Sequence, residues 1–222
     1  MSVLAIHART VLDRLTLDEV ALWAGVLTAE LLAVGIYFTA TGAQSTTLRY
    51  VLYPFVWINL GLWAALHVRP RPAGRRTQLV AGGVALGYFL VLTWFAGLFG
   101  TATGDGAVGL DVTFASPGLG PIVGYFGTVV YVVAVPYLVV GYLTLSYLVY
   151  VAALDASRAA LPGVLGLASC VGCAFPIVAT IVAGVAGGSS AVVATIYTHS
   201  MDLSTVAFVL AFALLYWRPG FE

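Results

Sequence analysis

Long stretches without charged side chains constrain this chain more than any other feature. Several of them could cross a hydrocarbon core about 30 Å thick, which takes about 20 helical residues. Hydrophobic residues fill 61% of the 222 positions and charged residues only 8%, against roughly 25% charged in an ordinary soluble domain. The predicted fold is therefore all-α, an integral membrane bundle of about six transmembrane helices.

The predicted organisation is an interfacial segment at residues 1–19, a transmembrane domain at 20–217 and a tail at 218–222. The fourth span is the longest and is expected to bend at Pro136. Residues 101–120 are expected to form an irregular external loop because they are rich in Gly and Pro. The expected spans are Val20 to Thr41, Leu48 to Val68, Leu79 to Gly100, Pro121 to Tyr150, Pro162 to Gly187, and a last one ending at Trp217. Glycines at four-residue spacing, expected at close helix contacts, are Gly83 with Gly87, Gly120 with Gly124, and Gly184 with Gly188.

The arginines predict the orientation of these spans, since cytoplasmic connections retain an excess of Lys and Arg. All nine basic residues are arginine. With the N-terminus inside, eight of them are cytoplasmic and only Arg49 is external. Both the N-terminus and the C-terminus are therefore predicted to be cytoplasmic.

The net charge and the absence of several sequence motifs argue against some classes of function. The formal net charge is zero, which is not typical of a nucleic-acid-binding protein. The sequence has no phosphate-binding Gly-rich loop ending in Lys, no His-Glu-x-x-His zinc signature and no Gly-x-Ser-x-Gly elbow. We therefore expect a non-enzymatic protein whose partners are the lipid bilayer and other membrane-protein subunits.

The two cysteines form the sharpest local pattern, because Cys170 and Cys173 are the only thiols and are three residues apart. On a helix this spacing puts both on one face, close to the helix-breaking Pro176. Such a pair can bind a soft metal ion such as copper or mercury, or zinc, or can cycle between dithiol and disulfide. The alternative is that both cysteines are small apolar packing residues. Cys170 lies eight residues after Pro162, about 12 Å into the span from its cytoplasmic end.

This helix resembles the cysteine-bearing first span of small mercuric-ion transport proteins, in which thiols are followed by proline and a Gly-rich helix end. The matching residues are Cys170, Cys173, Pro176, Gly184, Gly187 and Gly188. The thiols here are spaced, whereas those of the family are adjacent, and this chain is predicted to have about twice as many spans. The resemblance implies thiol chemistry with a soft metal ion. The rest of the chain resembles small polytopic proteins of prokaryotic cell membranes.

Glu30 is the second candidate, because it lies midway along the first span, where a charged side chain costs about 3 kcal/mol or more. Asn59 is predicted at a similar depth in the second span and could hydrogen-bond to a protonated Glu30. This pair could form a proton or cation site, or a neutral contact between helices.

His199 and Asp202 are candidate outer-side metal ligands or a proton relay, since their spacing puts them on one helix face. The alternative is that they mark the end of a span. The last span begins either near Ala191, with both residues in the outer leaflet, or at Met201, with both on the external surface.

Three functions follow from these sites. The leading hypothesis is a transporter or accessory factor that handles a soft metal ion or thiol redox equivalents at the cysteine pair. The first alternative is a structural or assembly subunit of a larger membrane complex, in which the cysteines pack. The second is a proton-coupled carrier centred on Glu30.

Overall fold

The computed structural model describes residues 17–42, 47–102, 108–115, 119–156 and 200–217. Its helices are α1 Leu17–Thr41, α2 Arg49–His67, α3 Arg75–Phe95, α4 Pro136–Ala156 and α5 Ser200–Trp217. Its strands are β1 Phe99–Thr101, β2 Gly109–Thr113, β3 Ile122–Phe126 and β4 Val130–Ala134. Helix α1 belongs to one compact unit, and all other described elements belong to a second.

Three of these helices are long and apolar enough to cross a membrane, namely α1, α3 and residues Pro136–Asp155 of α4. Helix α1 has no fully buried side chain. Its hydroxyl groups at Thr28, Thr39 and Thr41 each donate to the carbonyl oxygen four residues earlier. A helix that satisfies its own polar groups in this way and exposes leucines suits a lipid environment.

The sheet is joined closely to the ends of two helices. Helix α3 ends at Phe95, and two residues later Gly97 has a φ of +71°, the left-handed conformation that glycine adopts without strain. The Leu98 amide then donates to the Thr93 carbonyl oxygen at 2.9 Å, and β1 begins at the next residue. At the other side, only Val135 separates β4 from Pro136, where the fixed φ of proline suits the first position of α4.

The four strands form one antiparallel sheet in the order β1-β4-β3-β2. Strands β3 and β4 make a hairpin, in which the Gly127 amide donates to the Val130 carbonyl oxygen at 2.9 Å. The side chains of these two strands are mostly β-branched or aromatic, which favours strands over helix.

This sheet corrects the all-α prediction. The predicted fourth span, Pro121 to Tyr150, is wrong in its first half, which forms β3 and β4. Pro136 does not bend that helix but begins it. The predicted third span extended to Gly100, whereas α3 ends at Phe95 and Gly100 lies in β1. The segment predicted as an irregular loop contains β2.

Helix α4 is the centre of the second unit, since it contacts α2, α3 and α5, and α2 also contacts α5. Two glycines allow these close approaches. A Cβ on Gly61 of α2 would lie 2.6 Å from Thr144 Oγ1 of α4. A Cβ on Gly141 of α4 would meet the Trp57 ring, with Cζ3 at 2.7 Å. Close packing therefore depends on these two positions.

The glycine pairs predicted for this purpose have other surroundings. A Cβ on either Gly83 or Gly87 of α3 would have nothing within 4 Å. Gly124 lies in β3, under the ring of Phe126, and is not helical. The pair at 184 and 188 lies outside the described residues.

Candidate functional site

An ion pair joins the first residue of α2 to the first turn of α5. Arg49 Nη1 lies 2.9 Å from Asp202 Oδ2, and the two side chains are 32% and 26% exposed. The Tyr53 hydroxyl, one turn along α2, also interacts with the Asp202 carboxylate. The guanidinium of Arg49 lies over the Tyr50 ring, 5.4 Å from its centroid. A charge-assisted, half-buried contact therefore closes this end of the bundle, here named the Arg49 end.

Trp57 fills the space between α2, α4 and α5 below this ion pair. It is 2% exposed. Its ring stacks on Phe208 with centroids 3.9 Å apart and an interplanar angle of 9°. Tyr137 and Tyr142 of α4 meet it edge-on at 5.4 and 5.8 Å, and its Nε1 donates to Thr205 Oγ1 at 3.3 Å. This part of the bundle is closely packed by aromatic rings.

Aromatic contacts continue along α2 and α5. Trp63 lies 5.9 Å from Phe212 and 4.5 Å from Tyr216, measured between ring centroids. It also stacks on His67 at 5.0 Å, and a ring nitrogen of His67 lies 3.0 Å from the Trp63 carbonyl oxygen. The α2–α5 interface is therefore aromatic from Trp57 to His67, the last residue of α2. The end of the bundle at which this residue lies is here named the His67 end.

A second ion pair lies at the His67 end. Arg71 Nη1, in the segment after α2, lies 3.1 Å from Asp155 Oδ1 of α4. The Asp155 side chain is only 4% exposed, whereas that of Arg71 is 65% exposed. Nearby, the Tyr147 hydroxyl donates to the Val68 carbonyl oxygen at 2.8 Å. A buried carboxylate is tolerated when it is paired, and Arg71 supplies the opposite charge.

The order of these contacts shows that α2, α4 and α5 run parallel. Along α2, contacts from the Arg49 end to the His67 end meet Asp202, Phe208 and Tyr216 in turn on α5. On α4 they meet Tyr137 first and Asp155 last. The end of α4 and the beginning of α5 therefore lie at opposite ends of the bundle.

Comparison with known proteins gives one match. The model of a family described as a family of unknown function, DUF7546, matches residues 2–222. The chain belongs to this family. No curated protein and no solved structure shows significant similarity to it. The resemblance of the cysteine-bearing helix to mercuric-ion transport proteins stays a prediction.

Three of the predicted site residues of this DUF7546 chain, Cys170, Cys173 and His199, lie outside the described residues. Asp202 is described, and its carboxylate receives a hydrogen bond from Arg49. Among the described residues, no group of three His, Cys, Asp or Glu side chains lies together as a metal site would require.

Glu30 and Asn59 lie on helices of different units, α1 and α2, and both side chains are half-buried. Each takes part in an interaction within the structure. Their predicted pairing with each other, and the proton or cation site it would form, stay predictions.

Sequence reasoning missed the two ion pairs of this family member. Arg49 was singled out only as the one external arginine, although Asp202 was predicted at the same side of the membrane. An arginine and an acid that are predicted at the same side of the membrane, each at the end of an apolar helix, could have been considered as a pair. Asp155 is an acidic residue one position before the end of the apolar helix α4, and the connection after α2 is rich in arginine, which was the corresponding signal for Arg71.

Proposed function

We propose that this protein is a multi-pass membrane protein that handles a soft metal ion or thiol redox equivalents at Cys170 and Cys173. It would act as a small transporter or as an accessory factor. The observation that carries the proposal is that the only two cysteines of the sequence are three residues apart. Arg–Asp ion pairs at Asp155 and at Asp202 lie on either side of the segment 157–199, which contains both cysteines.

The positions of these two ion pairs support a membrane crossing by the cysteine-bearing segment. Asp155 lies at the His67 end of the bundle and Asp202 at the Arg49 end. A chain that leaves at one end and returns at the other has to travel the length of the bundle. The fifth predicted span, Pro162 to Gly187, is long enough to do so.

Two thiols on one helix face can act together on one cation. Binding converts both thiols to thiolates, so one soft cation is exchanged for two protons. The positive ion also compensates the negative sulfur atoms at a depth where an uncompensated charge is costly.

The test is stoichiometric binding of Cu(I) or Hg(II) to the detergent-purified full chain. We expect one tightly bound ion in the wild type and loss of most of the affinity in either Cys170→Ser or Cys173→Ser. The double change should lose little more, because ligands of one site are not additive. Ser169→Ala is the matched control, since it alters a neighbouring polar residue and keeps both thiols.

Equal binding by the wild type and the double variant would refute the metal hypothesis. If, in addition, membrane-permeant alkylating reagents reach neither thiol in intact membranes, the redox form of the proposal fails too. The cysteines would then be packing residues.

A structural or assembly subunit is the second candidate, favoured by the packing around Trp57. The ring of Trp57 and its four aromatic or hydroxyl-bearing neighbours fill the junction of α2, α4 and α5. Such a junction suits a stable scaffold. Co-purification of stoichiometric membrane subunits after mild solubilisation, retained in the Cys170→Ser, Cys173→Ser double variant, would support this function over the first.

A further inference from the structure

One face of the sheet is apolar and exposed. In antiparallel pairs, opposed residues project to the same side, and alternate residues along a strand project to opposite sides. The register therefore collects nine residues on this side, here named the apolar sheet face: Phe99, Thr101, Leu110, Val112, Val123, Tyr125, Val130, Val132 and Ala134. All except Thr101 are hydrophobic, and none is charged.

The exposure of this face is the reverse of the usual arrangement. Antiparallel sheets commonly cover their apolar face and leave the polar face in water. Here Leu110 is 70% exposed, and Tyr125, Val130 and Val132 are each at least half exposed. The opposite face contains the charged Asp111 and the polar Thr113, which hydrogen-bond to each other. It also contains four hydrophobic residues, of which only Phe126 is exposed, at 40%, while Ile122, Tyr131 and Val133 are half-buried. An uncovered apolar surface of this extent marks a region that contacts something other than water.

The apolar sheet face is continuous with the exposed side of α3. Phe99 meets Trp94 of α3 edge-on, with ring centroids 5.4 Å apart. Trp94 is itself 55% exposed, and Val84 and Leu90 on the same helix are exposed as well. Because α3 is apolar and long enough to cross a membrane, its exposed side faces lipid once the helix is embedded. The lipid that surrounds the exposed side of α3 is therefore expected to reach the apolar sheet face as well.

The depth of the sheet agrees with a position at the edge of the bilayer. Helix α3 has 21 residues, about 30 Å of helix, which matches the thickness of the hydrocarbon core. Strand β1 begins at Phe99, four positions after the last residue of α3, so the sheet begins where an embedded α3 leaves the core. Strands β1 and β2 lie at the two ends of the sheet, and each has one edge that no other described strand pairs with. Open edges cannot lie in the hydrocarbon core, but water and headgroups can satisfy them at the interface.

We propose that the apolar sheet face is a lipid-binding surface that inserts into the interfacial region of the bilayer at the Arg49 end. The sheet lies on the membrane with Leu110, Val112 and Val130 towards the acyl chains and Asp111 towards water. Tyr125 suits this position, because its ring is apolar and its hydroxyl can reach the headgroups. This inference rests on the membrane embedding of α3 and is independent of the metal hypothesis.

The test places a nitroxide spin label at single cysteines in the full chain, with Cys170→Ser and Cys173→Ser as background, reconstituted in phosphatidylcholine vesicles. Leu110→Cys and Val112→Cys report on the apolar sheet face, and Asp111→Cys and Thr113→Cys report on the opposite face of the same strand. All four positions are exposed in the structure, so differences between them come from the surroundings. Val84→Cys on α3 is the lipid-facing control.

Power saturation measures collisions with oxygen, which concentrates in lipid, and with a nickel chelate, which stays in water. We expect labels at 110 and 112 to collide several-fold more with oxygen than with the chelate, as the label at 84 does. Labels at 111 and 113 should show the opposite ratio. If a variant at 110 or 112 does not fold, Val130→Cys reports on the same face from β4.

Three results would overturn the inference, and they are distinguishable. Chelate access at 110 and 112, with lipid access kept at 84, means that the sheet stands in water while α3 spans the membrane. Exclusion of both reagents at 110 and 112 means that protein, such as a second copy or a partner subunit, covers the face. Chelate access at 84 as well means that α3 is not embedded, and the membrane location proposed above fails too.

Discussion

Gly141 provides a direct test of the packing around Trp57. Replacing Gly141 by Ala adds one methyl group against the Trp57 ring, with Cζ3 at 2.7 Å, Cε3 closer still, and Phe208 Cε2 at 3.2 Å. Real Cβ atoms almost never lie within 3.0 Å of another side chain, so either the ring or the helix must shift. The perturbation is therefore the smallest possible one that acts on this junction.

The expected magnitude follows from how firmly the ring is held. Trp57 stacks on Phe208, contacts two tyrosines edge-on and hydrogen-bonds to Thr205. A ring with contacts on several sides cannot move without losing some of them, so we take the upper part of the overpacking range, about 3 kcal/mol. The better helix propensity of Ala returns about 1 kcal/mol. The net destabilisation is about 2 kcal/mol, which lowers the Tm of a chain of this size by about 4–8 °C.

The assay is thermal unfolding of the detergent-purified protein, followed by helical circular dichroism. Gly83→Ala is the matched control, because its added methyl group would have nothing within 4 Å. We expect the control to match or slightly exceed the wild type. Equal Tm values for Gly141→Ala and Gly83→Ala would refute the packing of Trp57 against α4. Trp57→Leu combined with Gly141→Ala should restore part of the loss caused by the glycine change, since the smaller side chain makes room.

Three further predictions concern charges. Because Asp155 is buried and Arg71 is mostly exposed, Arg71→Gln should lower the Tm more than Asp155→Asn, and equal losses would argue against a buried carboxylate that depends on its partner. A reporter enzyme fused after Arg76 should be active in the cytoplasm and one inserted next to Asp111 should be active outside; the reverse pattern would overturn the orientation. Glu30→Gln should fold with unchanged helicity by circular dichroism, because an amide can still hydrogen-bond, whereas an unfolded variant would show that the charge itself is required.

The sequence by itself determined the apolar, largely helical character of the chain. Composition and stretch length predict membrane-compatible helices, and α1, α3 and α4 have the length and apolarity to cross a membrane. Hydropathy did not separate the strands from the helices, because residues 122–134 are as apolar as a membrane span. The available signal was the density of β-branched and aromatic residues on both sides of Gly127, together with Pro136 at a helix start.

Only the tertiary structure decided which residues meet. Arg49 and Asp202 are 153 positions apart, and nothing local to either residue indicates that α2 and α5 run parallel and in contact. The same holds for Gly141, which is a packing position because Trp57 lies opposite it. Gly83, which was predicted as a packing position from its four-residue spacing to Gly87, has nothing within 4 Å of an added Cβ. The preference of a residue for lipid or water depends on its own side chain, so it can be evaluated directly along the sequence. A pair depends on the relative position of two helices, which many side chains set together when they pack.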